Sequence, residues 1–211
     1  MSPSFHRMMI PQSSEKKLSI DFFSDNQIEQ IFHMIKININ KDTRRKKYHQ
    51  RYFLLVKFLL RTGGRIDEVL QVVHSDIDLN KNNICMITLK QGKDKRTGLP
   101  KFKYRVIPLH TDLRDAYKQY LLQNNIREGS SELLFPMKRQ VVDLYFKKIQ
   151  NNIGIRVHAH KFRHTFAVNA IMGGVPLNVL QQWMGHSSVF TTYIYMQITG
   201  IDTSEFMDMV K

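Results

Sequence analysis

The chain has 211 residues, of which 42% are hydrophobic, and its 32 Lys plus Arg against 18 Asp plus Glu give a formal net charge of +14. That is apolar chain enough for an ordinary packed core, and the positive charge, spread over several segments, points to a polyanionic partner, nucleic acid before a membrane surface. A single cysteine excludes an intramolecular disulfide. No apolar run approaches a membrane span, and the opening MSPSFHRMMIPQSS lacks the apolar core of a signal peptide, so an intracellular protein is expected.

Residues 1–16, with Pro3, Pro11 and several serines without a period, read as a tail or the end of a linker. In SDNQIEQIFHMI, Ser24 with Gln27 three residues later forms a capping-box pattern, and Ile28, Ile31, Phe32 and Ile35 follow at helical spacing. The basic stretch KDTRRKKYHQR leads into YFLLVKFLL, apolar nearly all round and read as a central buried helix. RTGGR breaks it, and RIDEVLQVV resumes a helical face with Ile66, Val69 and Leu70.

Two strand-like runs, 83–90 and 103–109, are joined by QGKDKRTGLPKF, whose Gly and Pro mark turns, and together make a basic hairpin. Cys85 within NICMITLK is expected to be a small core residue rather than a reactive thiol. Helical patterns return at 111–124, 138–152, 160–172 and 176–184, the last opening at Pro176 and closing before Gly185. The fold class is therefore mainly α with a small antiparallel β-sheet (α+β).

The densest chemistry lies in HAHKFRHTFAV. His160, Arg163 and His164 stand at i, i+3 and i+4, so one helix face carries all three, while Phe162 and Phe166 point the other way into a core. An arginine fork offers paired donors to phosphate oxygens, and a neighbouring imidazole can exchange a proton. A metal reading of His158, His160 and His164 is weak because Lys161 follows His160 where zinc hydrolases of that spacing carry a glutamate. In RTGGRIDEVL, two glycines permit close backbone approach just before Arg65, and Glu68 lies one turn on. GHSSVFTTYIY, rich in hydroxyl groups, places Tyr193 and Tyr195 two residues apart.

Taken in order, TGGRIDEVLQV, the lysine-bearing hairpin, HKFRHTFA and WMGHSSVFTTYIY resemble the successive signatures of the tyrosine recombinase family, the phage-integrase type of DNA breaking and rejoining enzyme, over residues 17–200. The resemblance implies that family's catalytic-domain fold. It makes Arg65 and Arg163 the two active-site arginines, Glu68 the supporting acid, His160 the histidine of the His-x-x-Arg signature, His186 the residue at the position filled by His or Trp, and Tyr195 the nucleophile. Tyr193 falls on a variable position and His164 on a common, non-catalytic one. The hairpin lysine is assigned to Lys93, with Lys90 and Lys95 as alternatives. Gly64 and Ala159 depart from the Leu and Pro that usually precede the first arginine and the His-x-x-Arg segment.

That chemistry suits these residue types. Fixed cations stabilise the extra charge of a pentavalent phosphorus transition state. A phenol whose ordinary pKa is about 10 needs a proton acceptor, here expected to be His160, with His186 donating to the phosphate. A lysine protonates the leaving 5′ oxygen, and a 3′-phosphotyrosyl link conserves the bond energy for rejoining. No metal or cofactor is implied. A type IB topoisomerase or an inactive DNA-binding protein are the alternatives.

The resemblance further implies double-stranded DNA as partner, a homo-tetramer on paired sites and a cytoplasmic, nucleoid-associated protein, with no membrane role. Arg44, Arg45, Lys46, Lys47, Lys90, Lys95 and Arg96 are expected to contact DNA phosphates. Residues 201–211 would be a C-terminal tail exchanged between protomers, with Phe206 and Met207 as anchors. The N-terminal helical domain usual in the family is too large for residues 1–16, so either a catalytic-domain fragment or a minimal stand-alone recombinase is expected.

Overall fold

The computed structural model describes residues 20–88, 96–98, 103–186 and 192–196. The tail 1–16 and the segment 201–211 lie outside them. The first helix, α1 (Asp25–Lys41), begins where Ser24 accepts from the Gln27 backbone and Gln27 returns a side-chain bond to Ser24, satisfying two otherwise orphaned amides. Its buried stripe, Ile31 and Ile35, packs on α2 (Lys46–Thr62).

Helix α2 is the axis of the core. Tyr52, Leu54, Leu55, Val56, Phe58 and Leu59 are buried, and α2 also packs against α4 (Thr111–Asn124) and α6 (Ala159–Met172). Its boundary corrects the sequence reading, since Lys46–Arg51 form its first turns rather than a lead-in, after a 3-10 turn at Thr43–Arg45. Within this basic run Lys46 and Lys47 are exposed, whereas His49 already turns into the core.

The helix stops at Gly63, whose φ of +59° is left-handed and whose hypothetical Cβ would lie 2.3 Å from Phe166 Cδ1. The helix after it, α3 (Ile66–Val69), is one turn, not the longer RIDEVLQVV. Val72 and Val73 leave helical geometry because the latter bridges to Leu133 and the 3-10 turn His74–Asp76 follows.

Among the described residues the sheet has three strands, β1 (Ile77–Asp78), β2 (Asn83–Thr88) and β3 (Lys103–Pro108), all antiparallel in the order β1-β2-β3. The first was absent from the sequence reading because two residues carry no legible alternation. Alternation along β2 turns Ile84, Met86 and Thr88 inward, so Cys85 faces outward and is half-buried, not a core residue.

Helices α5 (Arg139–Ile153), α6 and α7 (Leu177–Met184) follow, with a short helix at 192–196. Phe162 of α6 belongs to the main core, whereas Phe166 is only partly buried, against a second cluster of Ala167, Val168, Ile171, Leu180, Met184 and Tyr195. The expectation that both phenylalanines enter one core is corrected by this division. Two contacts pin α6 to the segment before α1: Phe23 N donates to Thr165 Oγ1 at 2.9 Å, and buried Lys161 pairs with Asp21 at 2.7 Å.

Candidate active site

Arg65 is the N-cap of α3 and sits directly after the Gly63–Gly64 break. A Cβ at Gly64 would meet Met86 Cε at 2.7 Å and Val69 Cγ2 at 2.8 Å, so Met86 fills the space a larger residue would need there. Arg65 N donates to Glu68 Oε2 at 3.0 Å and its guanidinium to Glu68 Oε1 at 2.9 Å. Glu68 is fully buried and accepts a further bond from Arg105 at 2.9 Å. Burial alone would raise the Glu68 carboxyl, but Arg105, the Arg65 backbone amide and the Arg65 charge outweigh it and hold it below the usual range.

Arg105 escaped the sequence reading, which saw it only as part of a basic hairpin. It ties four elements together: besides Glu68, it donates to Trp183 O at 2.8 Å, Ile87 O at 3.0 Å and Thr88 Oγ1 at 2.7 Å. A signal was present, because the alternation of β3 puts residue 105 on the inward face with Ile107, where a charge needs a buried partner. Gly185 permits the approach of α7 to this cluster; at φ +62° its Cβ would stand 2.9 Å from Thr88 Cγ2 and 3.1 Å from Arg105.

Arg163 is 2% exposed and projects from α6 into the same region. Its guanidinium donates to Gly63 O and, at 2.8 Å, to Met184 O, spanning from the break before Arg65 to the end of α7 just before His186. Burial, then the positive charge of Arg65, brings its pKa down to about 10, so it stays charged near neutrality. Two of its five N–H groups are used by these carbonyls.

His186 Nδ1 lies 2.8 Å from Thr192 Oγ1. Its pKa is driven down to about 3, first by burial and then by Arg163, Arg65 and Arg105 against the opposing pull of Glu68, so the imidazole is neutral near pH 7. Tyr195, in the short helix 192–196, is 4% exposed; burial raises its pKa while the fields of Arg163 and Arg65 oppose that rise. Its hydroxyl lies 2.8 Å from His164 Nδ1, so the imidazole on the phenol is that of His164 and not of His160. His160 is exposed and meets His164 edge to face at 4.3 Å between centroids. Tyr193 is 46% exposed and outside the cluster.

Thus Arg65, Glu68, Arg163, His186 and Tyr195 come together, with His160 one turn from the phenol's partner. A cleft of about 630 Å³ between β3 and α7, lined by Thr88, Lys103, Arg105, Gln181 and His186, adjoins this cluster without including Arg65, Arg163 or Tyr195 in its wall.

Lys90, Lys93 and Lys95 lie outside the described residues, and Arg96 is exposed. Arg44, Arg45, Lys46 and Lys47 are exposed at the start of α2, whereas Arg65 follows its end; 17 residues at about 1.5 Å each separate them by about 25 Å. The basic run is therefore not part of the cluster around Arg65 and Arg163. Among the described residues, no three His, Cys, Asp or Glu side chains are grouped to hold a metal, and no helix is long and apolar enough to cross a membrane.

Comparison with known proteins places the sequence and the fold. The chain is 32% identical over 154 residues to tyrosine recombinase XerA of Thermococcus onnurineus, covering 73% of this chain and 52% of the relative; it spans about half the length of such relatives. The fold matches the catalytic domain of bacteriophage HP1 integrase with a TM-score of 0.61 and 19% identity, over 90% of this chain and 94% of that one. It also matches XerH site-specific recombinase bound to difH substrate in a pre-cleavage complex, with a TM-score of 0.59 and 22% identity, over 90% of this chain and 53% of that one. The Phage integrase family matches residues 21–200, and the chain belongs to that family.

Proposed function

We propose that this chain is the catalytic part of a site-specific DNA recombinase that breaks and rejoins strands through a 3′-phosphotyrosyl intermediate. One observation carries the reading: a buried phenol, Tyr195, and a neutral His186 lie in the field of the same two arginines, Arg163 and Arg65, in a cluster whose cations outnumber the carboxylate of Glu68. A scissile phosphate supplies the missing negative charge.

In this reading the remaining N–H groups of Arg163 and the guanidinium of Arg65 hold the non-bridging oxygens, and Glu68 and Arg105 keep Arg65 in place. His186, with Nδ1 toward Thr192, presents Nε2 to the phosphate. The phenol gives its proton to a neighbouring imidazole as its oxygen attacks phosphorus, and Lys93 protonates the departing 5′ oxygen. The free 5′ hydroxyl of a second strand reverses the step without an external energy source.

Double-stranded DNA is the proposed partner, supported by the net charge of +14 and by the exposed run Arg44–Lys47, which would grip backbone away from the reacting phosphate. We assign the working assembly as a tetramer on two sites, with residues 201–211 exchanged between protomers, acting in the cytoplasm on nucleoid DNA.

The test is denaturing-gel detection of a covalent protein–DNA adduct on nicked duplexes, with native chain and Tyr195→Phe in parallel. An adduct lost with Tyr195→Phe supports the assignment. One that survives moves the nucleophile, first to Tyr193, and no adduct from the native chain on a selected DNA site would favour a binding protein without activity.

A further inference from the structure

The assignment of Tyr195 as nucleophile leaves open which group receives its proton, and one side chain touches the reacting oxygen. His164 Nδ1 lies 2.8 Å from Tyr195 Oη, with ring centroids 5.6 Å apart and planes inclined at 52°. His160, one turn earlier on α6, meets the His164 ring edge to face. We infer that His164 holds the Tyr195 phenol in place and is the immediate acceptor of its proton during strand cleavage, a role that rests on Tyr195 being the nucleophile.

The tertiary setting favours this. The Tyr195 ring is packed in the small cluster formed by α6 and α7, so its hydroxyl is directed by apolar contacts as well as by the hydrogen bond. His164 projects from the same helix as Arg163, whose guanidinium lies on the phosphate side of the site. One rigid element therefore carries both the group that holds the phosphate and the group that holds the attacking oxygen. That coupling fixes the approach distance, which is what converts proximity into rate.

The charge balance is also suitable. The groups acting on the His164 imidazole are His160, Arg163 and His158 on its own helix and cap, Asp21 from the segment before α1, and the Tyr195 phenol. Burial first, then His160, Arg163 and His158, bring its pKa down to about 4, against the opposing pull of Asp21, so near neutrality the ring is unprotonated and able to accept. A resting phenol would not protonate so weak a base. Transfer accompanies attack, because Oη becomes strongly acidic only as its bond to phosphorus forms.

In the balanced step, the Oη–H bond breaks and the proton passes to Nδ1, giving an imidazolium. The Oη–P bond forms while the P–O5′ bond breaks, and the 5′ oxygen leaves with the Lys93 proton. Rejoining reverses each transfer, the phenol recovering its proton from His164.

Two measurements test this. The first needs no DNA: nitrogen-15 histidine NMR at pH 7 of native protein and Tyr195→Phe. The expected result is a neutral His164 with its hydrogen on Nε2 and a Nδ1 resonance that moves in Tyr195→Phe; a hydrogen on Nδ1, donating to the phenol, would overturn the acceptor role. The second is single-turnover adduct formation on nicked duplex by native chain, His164→Asn, His164→Ala and His160→Ala, with DNA affinity measured alongside. Asparagine keeps a polar atom near the Nδ1 position but cannot take the proton.

Both His164 variants should form adduct at least about 100-fold more slowly with unchanged DNA affinity. The residual rate of His164→Asn should climb about tenfold per pH unit above neutrality, as solvent hydroxide replaces the base, while the native rate stays flat. A His164→Asn rate and profile within threefold of native would overturn the inference, as would finding the loss and the pH climb in His160→Ala instead. Adduct surviving Tyr195→Phe would overturn the nucleophile assignment too, whereas adduct lost in that variant but normal in His164→Asn would overturn only the role of His164.

Discussion

The two halves of the site are built differently. On one side, Arg163, Arg105 and Glu68 are buried and bonded to one another's elements through backbone carbonyls and a shared carboxylate, so α6, β3, α3 and α7 are locked together around fixed charge. On the other, Tyr195 and His186 are held by neutral contacts: the Tyr195 hydroxyl meets His164 while its ring packs in the apolar cluster of α6 and α7, and His186 meets Thr192 by its side chain and Gln181 by its backbone. The difference teaches a division of labour. Charges that meet a phosphate must be held before it arrives, because reorganising them during reaction adds to the barrier. In the proposed reaction, the nucleophile that forms and breaks a covalent link to DNA sits on the half held by these neutral contacts.

Removing the centre of the rigid half should have the largest effect. Arg163→Ala should slow adduct formation by about 3 to 4 kcal/mol of barrier, roughly 100- to 1000-fold, and also lower thermal stability, since the Gly63 and Met184 carbonyls lose their donor. Arg163→Lys should not rescue it, because an ammonium cannot span two carbonyls and a phosphate. Single-turnover assays with melting curves check both expectations. A normal rate in Arg163→Ala would break the comparison outright.

Glu68→Gln comes next. It leaves two arginines facing a neutral amide at a fully buried position, a loss of about 3 to 5 kcal/mol in unfolding free energy by analogy with broken buried pairs. Denaturant titration measures it. A loss under about 1 kcal/mol would mean that the carboxylate contributes little to the frame.

The pH dependence is smaller and signed. His164 and His186 have folded pKa values of about 4 and about 3, below the ordinary value near 6.5, so between these limits the unfolded chain binds more protons. Their contribution to stability is fully present above about pH 7 and is lost as pH falls through 6.5 toward 4. Buried His74, together with His110 and His158, adds in the same direction. Melting temperatures from pH 7.5 to 5 should fall, and less steeply in His186→Asn; an unchanged slope in that variant would place the titration elsewhere.

Thr192→Val tests the half held by neutral contacts. It preserves shape and removes one hydrogen bond, so stability should change by about 1 kcal/mol while adduct formation slows severalfold as His186 loses its orientation. Equal loss in both quantities would show that this segment is part of the frame after all. Tyr193→Phe should be the smallest change, within about 0.5 kcal/mol and without effect on the adduct, because its side chain is largely exposed.

Much was legible from the chain because it depends on local spacing. The capping box at Ser24, the helical period of 160–172 and the stop at Gly185 are set by neighbours within one or two turns, and they appear where the sequence puts them. Five of the site residues also lay in motifs whose order survives without knowledge of the fold. What failed to read was whatever depends on distant partners: the two-residue strand β1, the outward side of Cys85 and the inward side of Arg105.

The sequence by itself determined the fold class, the family and the cluster of arginine, histidine and tyrosine, since periodicity and motif order are properties of the chain alone. Only the tertiary structure decided which imidazole meets the phenol and which arginine supports Glu68. Those pairings join residues 31 and 37 positions apart, and their geometry follows from how α6, β3 and the helix 192–196 pack, which no local pattern encodes.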